Sequence, residues 1–547
     1  MSTDNPKDIA AQVAARVAAE KEILAATQKT TTAAALEITD DFILECLQAN
    51  RVGDATLFSA LFRGKFVYVK RWGRWLRWVG HHWQDDIEDI SEAAIEEVCR
   101  QYLRIAEKKQ QEADEEIDKE LKKRPQDVAD SAIRRVNLLR DKSGRENLLT
   151  LAHKIEYPLR IVGDELDKKY YHLACPNGVI DLRTGELHPG NPTDYILNAC
   201  PTPWNIELAN LPHDGPSPCP ETEKFLLSSM DEDKELVAFI WRLLGYGLIR
   251  DRRDHIFSIF WGEHGRNGKD TLIKLVTHVL GPTLSGDVPV EMFLAMQQTR
   301  SSSAPSPDVL ALRGMCFAWI NEAEEGQRFA LAKLKKLTGG SFITARGLQD
   351  KLQTTWVQTH LPIMTTNELP KAKAEDAAFW HRAILLKWTL SFVDEPEHPY
   401  ERKADKDLMK KLEREAEGVL IRMVRGATEY LKFGLCVPEK VKAWTKEQRS
   451  HWDDIGRFIS EWCEVEEEVA DPAAYKLQIK ATDLHEAFCI WYARNVDKRF
   501  GISGKKFGEM LNKRNIPTKR SNGVQRLGIT LTQDAWGELE ESRRSKG

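Results

Sequence analysis

Between residues 256 and 392 the chain alternates short apolar runs with longer polar stretches. Four of these runs are six residues long and bounded by loop-forming positions: 256–261 (I-F-S-I-F-W), 315–320 (M-C-F-A-W-I), 361–366 (L-P-I-M-T-T) and 383–388 (A-I-L-L-K-W). Runs of this length are typical of strands that are buried on both faces of a sheet. An apolar helical stretch at 272–280 follows the first run. The pattern therefore predicts an α/β domain.

The segments before this domain have different patterns. Residues 1–40 are rich in Ala, Thr and Lys, which predicts a frayed helix or a disordered arm. Residues 66–83 alternate apolar and polar positions around a glycine, which predicts a β-hairpin. Residues 106–124 are highly charged and indicate a solvated helix. Short apolar runs separated by N-G and T-G turns within 169–200 predict another small β unit.

Proline and helical signals divide the rest of the chain. Six prolines lie between 201 and 220, which excludes long regular elements and predicts a linker. Helical periodicity returns at 221–249 and again at 405–435, and 436–455 is predicted to be a connection. The last stretch, from about 456 to 547, is predicted to be a separate small domain.

Composition limits the class of protein. A chain of 547 residues is too long for one core, so two to four domains are expected. It has no apolar run of 18 residues, and its first residues do not resemble a signal peptide. Its nine cysteines form no C-x-x-C pair, which favours reduced thiols over a zinc site. We therefore expect a cytoplasmic protein without a membrane span.

A glycine-rich loop joins the first strand to its helix. The sequence G-E-H-G-R-N-G-K-D-T runs from Gly262 to Thr271. Glycines let backbone amides converge on phosphate oxygens, and a lysine at the start of a helix adds a point charge. Five residues separate Gly262 from Gly268, one more than in the usual pattern, and Asp270 replaces its Ser or Thr. The loop predicts ATP binding, with a ligand-free glycine turn as the alternative.

Polar residues follow the later strands. Glu322 comes after the second run, where an acid could polarise water and help to hold Mg²⁺, although Glu324 and Glu325 are nearby competitors. Asn367 follows the third run and could orient water, but an Asn there is usually a turn residue. Arg382 precedes the fourth run and could stabilise phosphate from a neighbouring subunit, although a surface ion pair is the commoner role.

The order and spacing of these motifs resemble a known family. With W-I-N-E, L-K-K-L-T-G-G-S-F-I-T-A-R, I-M-T-T-N-E-L-P and F-W-H-R-A-I, the phosphate loop resembles the superfamily 3 helicases, specifically the primase-helicase family of phages, plasmids and poxviruses. P-N-G-V-I-D-L-R-T-G-E-L at 176–187 looks like the region that precedes the ATPase in that family. The resemblance covers most of residues 54–532. It implies an AAA+-type P-loop ATPase core and homo-hexamers that translocate on DNA.

The resemblance also implies residue roles. Lys269 would bind the β- and γ-phosphates, Glu322 would be the Walker B acid, Asn367 the sensor and Arg382 a finger acting in trans. Either Asp270 or Thr271 would take the Mg²⁺ position, together with Glu322. Nucleotide contacts are expected from Gly262, Gly265, Arg266, Asn267, Gly268, Lys269, Asp270 and Thr271. Lys335, Lys336 and Arg346 would lie in the segment that leads to a DNA-gripping pore hairpin. Asn321 stands where related ATPases often have their first Walker B acid.

A basic cluster lies near the C-terminus of a chain whose net charge is −5. Between 505 and 526 there is one acid, Glu509, and seven bases: Lys505, Lys506, Lys513, Arg514, Lys519, Arg520 and Arg526. The pattern predicts a helix at 505–514, a turn at Pro517 and a hairpin with S-N-G at its tip. A helix followed by a wing is how a winged helix-turn-helix meets DNA. A merely solvated basic surface is the alternative.

The tryptophan-rich hairpin at 66–83 is open to two interpretations. Trp72, Trp75, Trp78 and Trp83 lie among cations, as in surfaces that bind single strands, but tryptophan in small β units is more often core or subunit contact. We favour the core interpretation slightly.

Together these observations predict six regions and one main function. The regions are an arm (1–40), an N-terminal α+β domain (41–200), a Pro-rich linker and helical collar (201–250), a superfamily 3 ATPase domain (251–400), a helical extension (401–455) and a winged-helix domain (456–547). The expected function is an ATP- and Mg²⁺-dependent hexameric DNA helicase of a mobile element. A separate chain would supply primase or polymerase activity. The alternatives are an ATP-switched origin-binding or assembly protein, and a metabolic P-loop enzyme.

Overall fold

The computed structural model describes residues 38–295, 306–321, 327–348, 353–372, 374, 376–467, 469, 471, 474–496, 502–521 and 523–546. These residues form two compact units that are interleaved along the chain. The first unit comprises residues 38–169 and Pro189–Leu197, and the second comprises Tyr170–His188 and residues 198–546. The segment Tyr170–His188, which we predicted within the N-terminal domain, thus belongs by its contacts to the second unit. Almost all of the predicted arm lies outside the described residues.

The first unit combines helices with a four-stranded sheet. Its elements are α1 Asp40–Gln48, α2 Asn50–Phe62, β1 Phe66–Val69, β2 Arg74–Trp78, β3 Trp83–Asp85, α3 Ile90–Ala93, α4 Ile95–Glu115, α5 Lys119–Arg140, α6 Lys142–Ala152 and β4 Arg160–Ile161. The sheet order is β3-β2-β1-β4. β1 and β2 pair antiparallel across a turn in which Gly73 has a φ of 68°, which confirms the predicted hairpin.

The prediction of one charged helix at 106–124 is wrong. Two helices, α4 and α5, meet at a break between Glu115 and Lys119. Asp118 ends the connection by accepting a hydrogen bond from the backbone N–H of Glu120, as an N-cap does. Each helix buries one apolar stripe, which includes Tyr102 in α4 and Val136 in α5. The high charge of the outer faces concealed this periodicity.

The packing of the hairpin tryptophans supports the core interpretation. Trp83 is buried, and its indole N–H donates to the carbonyl oxygen of Pro192 over 2.8 Å. Trp75 packs edge-on against Tyr68, with ring centroids 5.4 Å apart. Trp78 and Trp83 contact one another at 5.5 Å. The rings therefore fill the space around the small sheet, which uses their apolar area.

The second unit begins with an antiparallel meander. Its strands are β5 His172–Cys175, β6 Gly178–Asp181 and β7 Glu186–His188, in the order β5-β6-β7. This confirms the predicted small β unit. Leu173, Ile180 and Leu182 are buried in the same core as the helices and strands that follow. The meander is thus part of the second unit's main core.

A parallel five-stranded sheet lies at the centre of the second unit. Its strands are β8 Phe257–Trp261, β9 Ser285–Val288, β10 Phe317–Asn321, β13 Leu361–Thr366 and β14 Ala383–Lys387, in the order β14-β8-β13-β10-β9. All neighbouring pairs are parallel. The four predicted strands are confirmed. In this order β8 lies between β13 and β14, so the loops that follow these three strands are neighbours.

Helices surround this sheet on both sides. They are α7 Ile206–Ala209, α8 Pro220–Ser229, α9 Lys234–Leu248, α10 Lys269–Leu280, α11 Pro307–Leu310, α12 Leu331–Leu337, α13 Ala377–Trp380, α14 Leu408–Arg414, α15 Ala416–Phe433 and α16 Glu439–His451. Two small strand pairs join them: β11 Phe342–Ala345 with β12 Thr354–Val357, and β15 Ser391–Val393 with β16 Glu401–Lys403. The prediction of a connection at 436–455 is wrong, because α16 occupies most of it.

The helices α9 and α15 cross at very short range. A Cβ on Gly245 would lie 2.1 Å from backbone atoms of Gly426 and Ala427, and a Cβ on Gly426 would lie 2.1 Å from the carbonyl oxygen of Trp241. The two backbones can approach this closely only because glycine has no side chain. The contact joins α15, which follows the sheet in the chain, to α9, which precedes it.

The C-terminal part is built from short elements. They are α17 Asp454–Trp462, β17 Cys463–Val465, β18 Gln478–Lys480, α18 Ala481–Asn495, α19 Gly504–Asn512, β19 Thr518–Arg520, β20 Val524–Leu527, β21 Ile529–Leu531 and α20 Gln533–Lys546. β18, β20 and β19 form one sheet in that order. The predicted helix and hairpin correspond to α19 and to β19–β20. A separate apolar core, which includes Phe458, Phe488, Trp491 and Phe507, holds these elements together.

Candidate functional site

The glycine-rich loop connects β8 to α10 at the carboxyl edge of the parallel sheet. Arg266 and Gly268 have positive φ values of 57° and 90°, so the backbone turns sharply just before the helix begins at Lys269. Alternating backbone conformations of this kind point successive N–H groups into one concavity that suits an anion. The positive end of the helix adds to this preference.

A buried amide explains the extra residue in the loop. Asn267 spans the turn, donating from Nδ2 to the carbonyl oxygen of His264 over 2.7 Å and accepting from the backbone N–H of Lys269 over 3.4 Å. A Cβ on Gly262 would lie 2.0 Å from this Nδ2 atom. Gly262 and Asn267 are therefore packed together, and the longer loop is filled by a side chain.

The outer half of the loop is fixed by the strand β15. The hydroxyl of Ser391 donates to the carbonyl oxygen of Gly265 over 2.9 Å, and the backbone N–H of Phe392 donates to the carbonyl oxygen of Arg266 over 2.8 Å. These contacts satisfy the carbonyl oxygens of two loop residues. This support could not be predicted from the sequence pattern.

Lys269 reaches the tip of the neighbouring strand. Its ammonium is buried and donates to the carbonyl oxygen of Thr366 over 3.1 Å and to Oδ1 of Asn367 over 2.8 Å. The structure thus brings together two of the four residues predicted to be catalytic. A buried ammonium without such partners would be costly, so the polar tip of β13 stabilises the charge.

The tip of β10 carries polar residues beside this pair. The side chain of Asn321 donates to Asp287 over 3.1 Å and accepts from the hydroxyl of Thr365 over 3.0 Å. Glu322, the predicted Walker B acid, lies outside the described residues. Asp287 is an acid at this edge that sequence reasoning missed, because S-G-D-V of β9 has too few large apolar residues to be recognised as a strand.

A cavity of about 500 Å³ opens beside the loop. Five of its lining residues were predicted to bind nucleotide: Arg266, Asn267, Gly268, Asp270 and Thr271. Its apolar wall was not predicted and is formed by Phe225, Phe392, Leu408 and Met409. A site with one apolar wall and one wall of loop amides and cations can take a ligand that combines a flat ring with phosphates.

The first turn of α10 offers oxygen ligands to a metal ion. Asp270 is exposed and Thr271 is half-buried, and both line the cavity. Carboxylate and hydroxyl oxygens suit a hard cation such as Mg²⁺, which keeps several waters and binds mainly through phosphates and one or two protein oxygens. The chemistry of these donors therefore fits Mg²⁺. Within the described ranges no cluster of three or more His, Cys, Asp or Glu residues could hold a metal by itself.

Arg382 lies at the opposite edge of the sheet from the loop. Its carbonyl oxygen accepts from the backbone N–H of Phe257, the first residue of β8, whereas the loop follows the last residue of that strand. A five-residue strand spans about 17 Å. The guanidinium donates to the carbonyl oxygen of Ala378 over 2.6 Å. Arg382 therefore does not meet the Lys269 of its own chain.

The predicted DNA-contacting segment forms a helix and a hairpin. Lys335 on α12 pairs with Asp376 over 2.8 Å, and Lys336 is exposed. Arg346 follows β11 and is half-buried. The tip of the β11–β12 hairpin, residues 349–352, lies outside the described residues. The base of the hairpin is fixed by buried Arg252, which donates to the carbonyl oxygen of Thr359 over 2.8 Å.

The C-terminal basic cluster divides into exposed and buried members. Five side chains are exposed on α19 and the following hairpin: Lys505, Lys506, Lys513, Lys519 and Arg520. Arg526 is buried and donates to the carbonyl oxygens of Gly508 and Ile516 over 2.7 and 3.0 Å. Arg514 is half-buried and pairs with Asp453. The burial of Arg526 contradicts its predicted DNA contact, whereas DNA contact by the half-buried Arg514 stays a prediction.

The chain is similar to a known protein family and to viral proteins. Residues 55–230 match the family described as "D5 N terminal like". Over 481 residues the chain is 26% identical to "Putative helicase L207/L206" of Acanthamoeba polyphaga mimivirus, covering 83% of this chain and 47% of that protein. Over 367 residues it is 22% identical to "Putative primase C962R" of African swine fever virus, covering 63% of this chain and 36% of that protein.

Among solved structures, the apo C-terminal region of NrS-1 is similar at 14% identity and a TM-score of 0.35, covering 60% of this chain and 79% of that one. The chain spans less than half the length of the two viral relatives. Among the described helices, none is long and apolar enough to cross a membrane. The D5-type match and the viral relatives confirm the predicted resemblance of this chain to the primase-helicase family of phages, plasmids and poxviruses.

Proposed function

We propose that this protein is an ATP-dependent DNA helicase that forms rings and serves the replication of a mobile genetic element. The observation that carries the proposal is the convergence of the phosphate loop, Lys269 and Asn367 at the carboxyl edge of a parallel sheet. Ligands of open α/β sheets bind at this edge. The names of the viral relatives support a role in replication, and the superfamily 3 assignment remains part of the proposal.

In the proposed site, loop amides and Lys269 bind the phosphates of ATP. Asp270 or Thr271 takes part in holding Mg²⁺, which neutralises charge on the phosphate oxygens when it is bound. Asn367, already beside the Lys269 ammonium, orients the attacking water. Glu322 is the proposed acid that polarises this water. Phe225, Leu408 and Met409 provide an apolar surface for the base.

The position of Arg382 supports catalysis between subunits. Since it lies a full strand length from the loop of its own chain, any catalytic role of Arg382 has to be in the site of another copy. A guanidinium supplied by a neighbour stabilises charge in the transition state and links hydrolysis to ring assembly. A homo-hexamer is the assembly that the family resemblance favours.

DNA is the proposed partner of the basic surfaces. The C-terminal part has a helix followed by a two-stranded hairpin, with β18 beside the hairpin, and we propose that it is a winged-helix domain. Its exposed lysines would contact phosphates, while Lys336 and the β11–β12 hairpin would contact the translocating strand. A separate primase or polymerase is proposed as a partner.

The proposal is tested by strand displacement on forked duplexes, with mass photometry of the same sample. Wild-type protein should separate strands with ATP and Mg²⁺ and form rings, and Lys269→Ala should lose ATPase activity by at least about 100-fold. Lys274→Ala, which removes an exposed lysine from the same helix, is the matched control and should keep both activities.

Rings that hydrolyse ATP without separating strands would favour an ATP-switched origin-binding or assembly protein instead. An ATPase that does not respond to DNA would favour a metabolic enzyme. Full DNA-stimulated activity in Lys269→Ala would overturn the proposed site.

A further inference from the structure

Trp261 is the last residue of β8 and lies beside the sensor position. Its neighbours in the sheet are Thr366 on β13 and Lys387 on β14. Its indole N–H donates to the backbone carbonyl oxygen of Asn367 over 2.9 Å. The side-chain oxygen of Asn367 accepts a hydrogen bond from the ammonium of Lys269. Asn367 is therefore bonded at its backbone by Trp261 and at its side chain by the phosphate-loop lysine.

The two bonds to Asn367 come from opposite faces of the sheet. Trp261 packs with the apolar cluster that contains Phe257 and Ile259, whereas the helix of Lys269 buries Leu272 and Val276 in the other cluster. Asn367 lies at the edge between them. A group fixed from both faces cannot rotate its peptide without breaking one of the two bonds.

A cation and the helix α16 support the indole from outside. The ammonium of Lys387 lies 5.7 Å from the ring centroid of Trp261 and 5.9 Å from that of Trp444, within the range of cation–π attraction. It also pairs with Glu447 over 2.8 Å. On the same helix, the hydroxyl of Thr445 accepts from the backbone N–H of Leu385 over 3.0 Å, at the open edge of the sheet.

We infer that Trp261 is a positioning residue for ATP hydrolysis, and that Lys387 and α16 hold it in place. This inference rests on the proposed function, because it assigns a purpose to the geometry of Asn367. Packing alone does not require a tryptophan here: the side chain is only partly buried, and a phenylalanine would still cover much of this apolar surface. The indole N–H is what phenylalanine lacks. It fixes the peptide that sets the direction of the Asn367 amide.

The test is steady-state ATPase kinetics of Trp261→Phe in the full chain. We expect kcat to fall about tenfold while the KM for ATP stays within about twofold of wild type, because orientation is lost and phosphate binding is kept. Trp536→Phe is the matched control: it changes a partly buried tryptophan of the separate C-terminal core and should leave kcat unchanged.

A double variant separates positioning from packing. If Trp261 acts through Asn367, adding Trp261→Phe to Asn367→Ala should cause no further fall in kcat, since the two share one pathway. Additive losses, or a raised KM with unchanged kcat, would overturn the inference. If Trp261→Phe does not fold, Lys387→Met tests the inference in its place, and we expect its kcat to fall about threefold. Wild-type kcat in Trp261→Phe overturns the inference alone, whereas an inactive wild type overturns the proposed function as well.

Discussion

The ammonium of Lys269 lies 2.8 Å from the side-chain oxygen of Asn367, although the two residues are 98 positions apart. Parallel pairing of β8 with β13 makes this possible, because it places the ends of both strands at one edge. The lysine is thus directed at the tip of β13, and phosphate binding requires it to exchange these oxygens for those of the ligand.

Mixing two inactive variants should restore ATPase activity. Arg382→Ala and Lys269→Ala should each reduce activity by about 100-fold or more, because each removes one part of a shared site. In mixed rings, some interfaces combine an intact Lys269 with an intact Arg382. We therefore expect the mixture to hydrolyse ATP faster than either variant alone, measured at constant total protein. Full activity of Arg382→Ala, or no gain on mixing, would contradict catalysis between subunits.

Exposed and buried bases of the C-terminal domain should respond differently to substitution. Replacing Lys505, Lys506, Lys519 and Arg520 with alanine should weaken DNA binding and lower the dependence of affinity on salt, each lost phosphate contact reducing the slope by about 0.7 to 0.9. Fluorescence anisotropy at several salt concentrations measures this slope. Four exposed lysines elsewhere provide the matched control: Lys123, Lys142, Lys168 and Lys432. An equal loss in that control would indicate a non-specific effect of charge.

Arg526→Ala should instead destabilise the domain. The guanidinium is buried against two carbonyl oxygens and Asn512, so its removal leaves buried acceptors unpaired, at a cost of about 1–3 kcal/mol. Thermal unfolding measures this cost. Wild-type stability with a reduced salt slope would restore Arg526 to the DNA-binding surface.

Asp54 should make the stability of the first unit depend on pH. Burial raises the pKa of this carboxyl group from its ordinary value of 3.8 to about 6, although Arg135 and the Tyr102 hydroxyl favour its charged form. Between about pH 4 and pH 6 the folded state therefore keeps the proton of Asp54, whereas the unfolded chain has lost it. Stability should therefore fall as pH rises from about 4 to 6 and stay lower above that range.

Asp54→Asn should abolish this dependence, because its side-chain oxygen can still accept from Tyr102. We expect the variant to be more stable than wild type by about 2 kcal/mol at pH 7.5 and equal to it near pH 4. Urea unfolding of both proteins at the two pH values measures the difference. The same difference at both pH values would show that Asp54 does not titrate in this range.

The crossing of α9 and α15 should tolerate no side chain. Gly245→Ala or Gly426→Ala places a methyl group about 2 Å from backbone atoms that cannot move independently, so we expect a loss of at least about 1–3 kcal/mol. Gly537→Ala, in an open part of α20, is the control and should stabilise its helix by about 0.5–1 kcal/mol. Chemical unfolding of the three variants measures these effects. A neutral Gly245→Ala would show that the helices can separate.

The elements and site residues that depend on apolar runs and motif spacing could be predicted from the sequence. The strands that precede Lys269 and Asn367, β8 and β13, were predictable, since each is an uninterrupted apolar run. β9 was not, because its backbone pairing with β10 owes little to its side chains. Arg526 was misassigned because a count of charges does not show which way a strand directs each side chain. The support of the loop by Ser391 depends on contacts between distant segments, which composition does not record.

The interleaving of the two units has a practical consequence for dissecting the protein. The chain passes from one unit to the other at 169–170, at 188–189 and at 197–198, and the D5-type match at 55–230 extends over all three points. A fragment that starts at 201 would discard β5–β7 and leave the core of the second unit open to solvent. An autonomous fragment should therefore start at Tyr170, with a short linker in place of Pro189–Leu197. During translation these segments are synthesised in the same order. The last segment of the first unit, Pro189–Leu197, is therefore made only after synthesis of the second unit has begun at Tyr170.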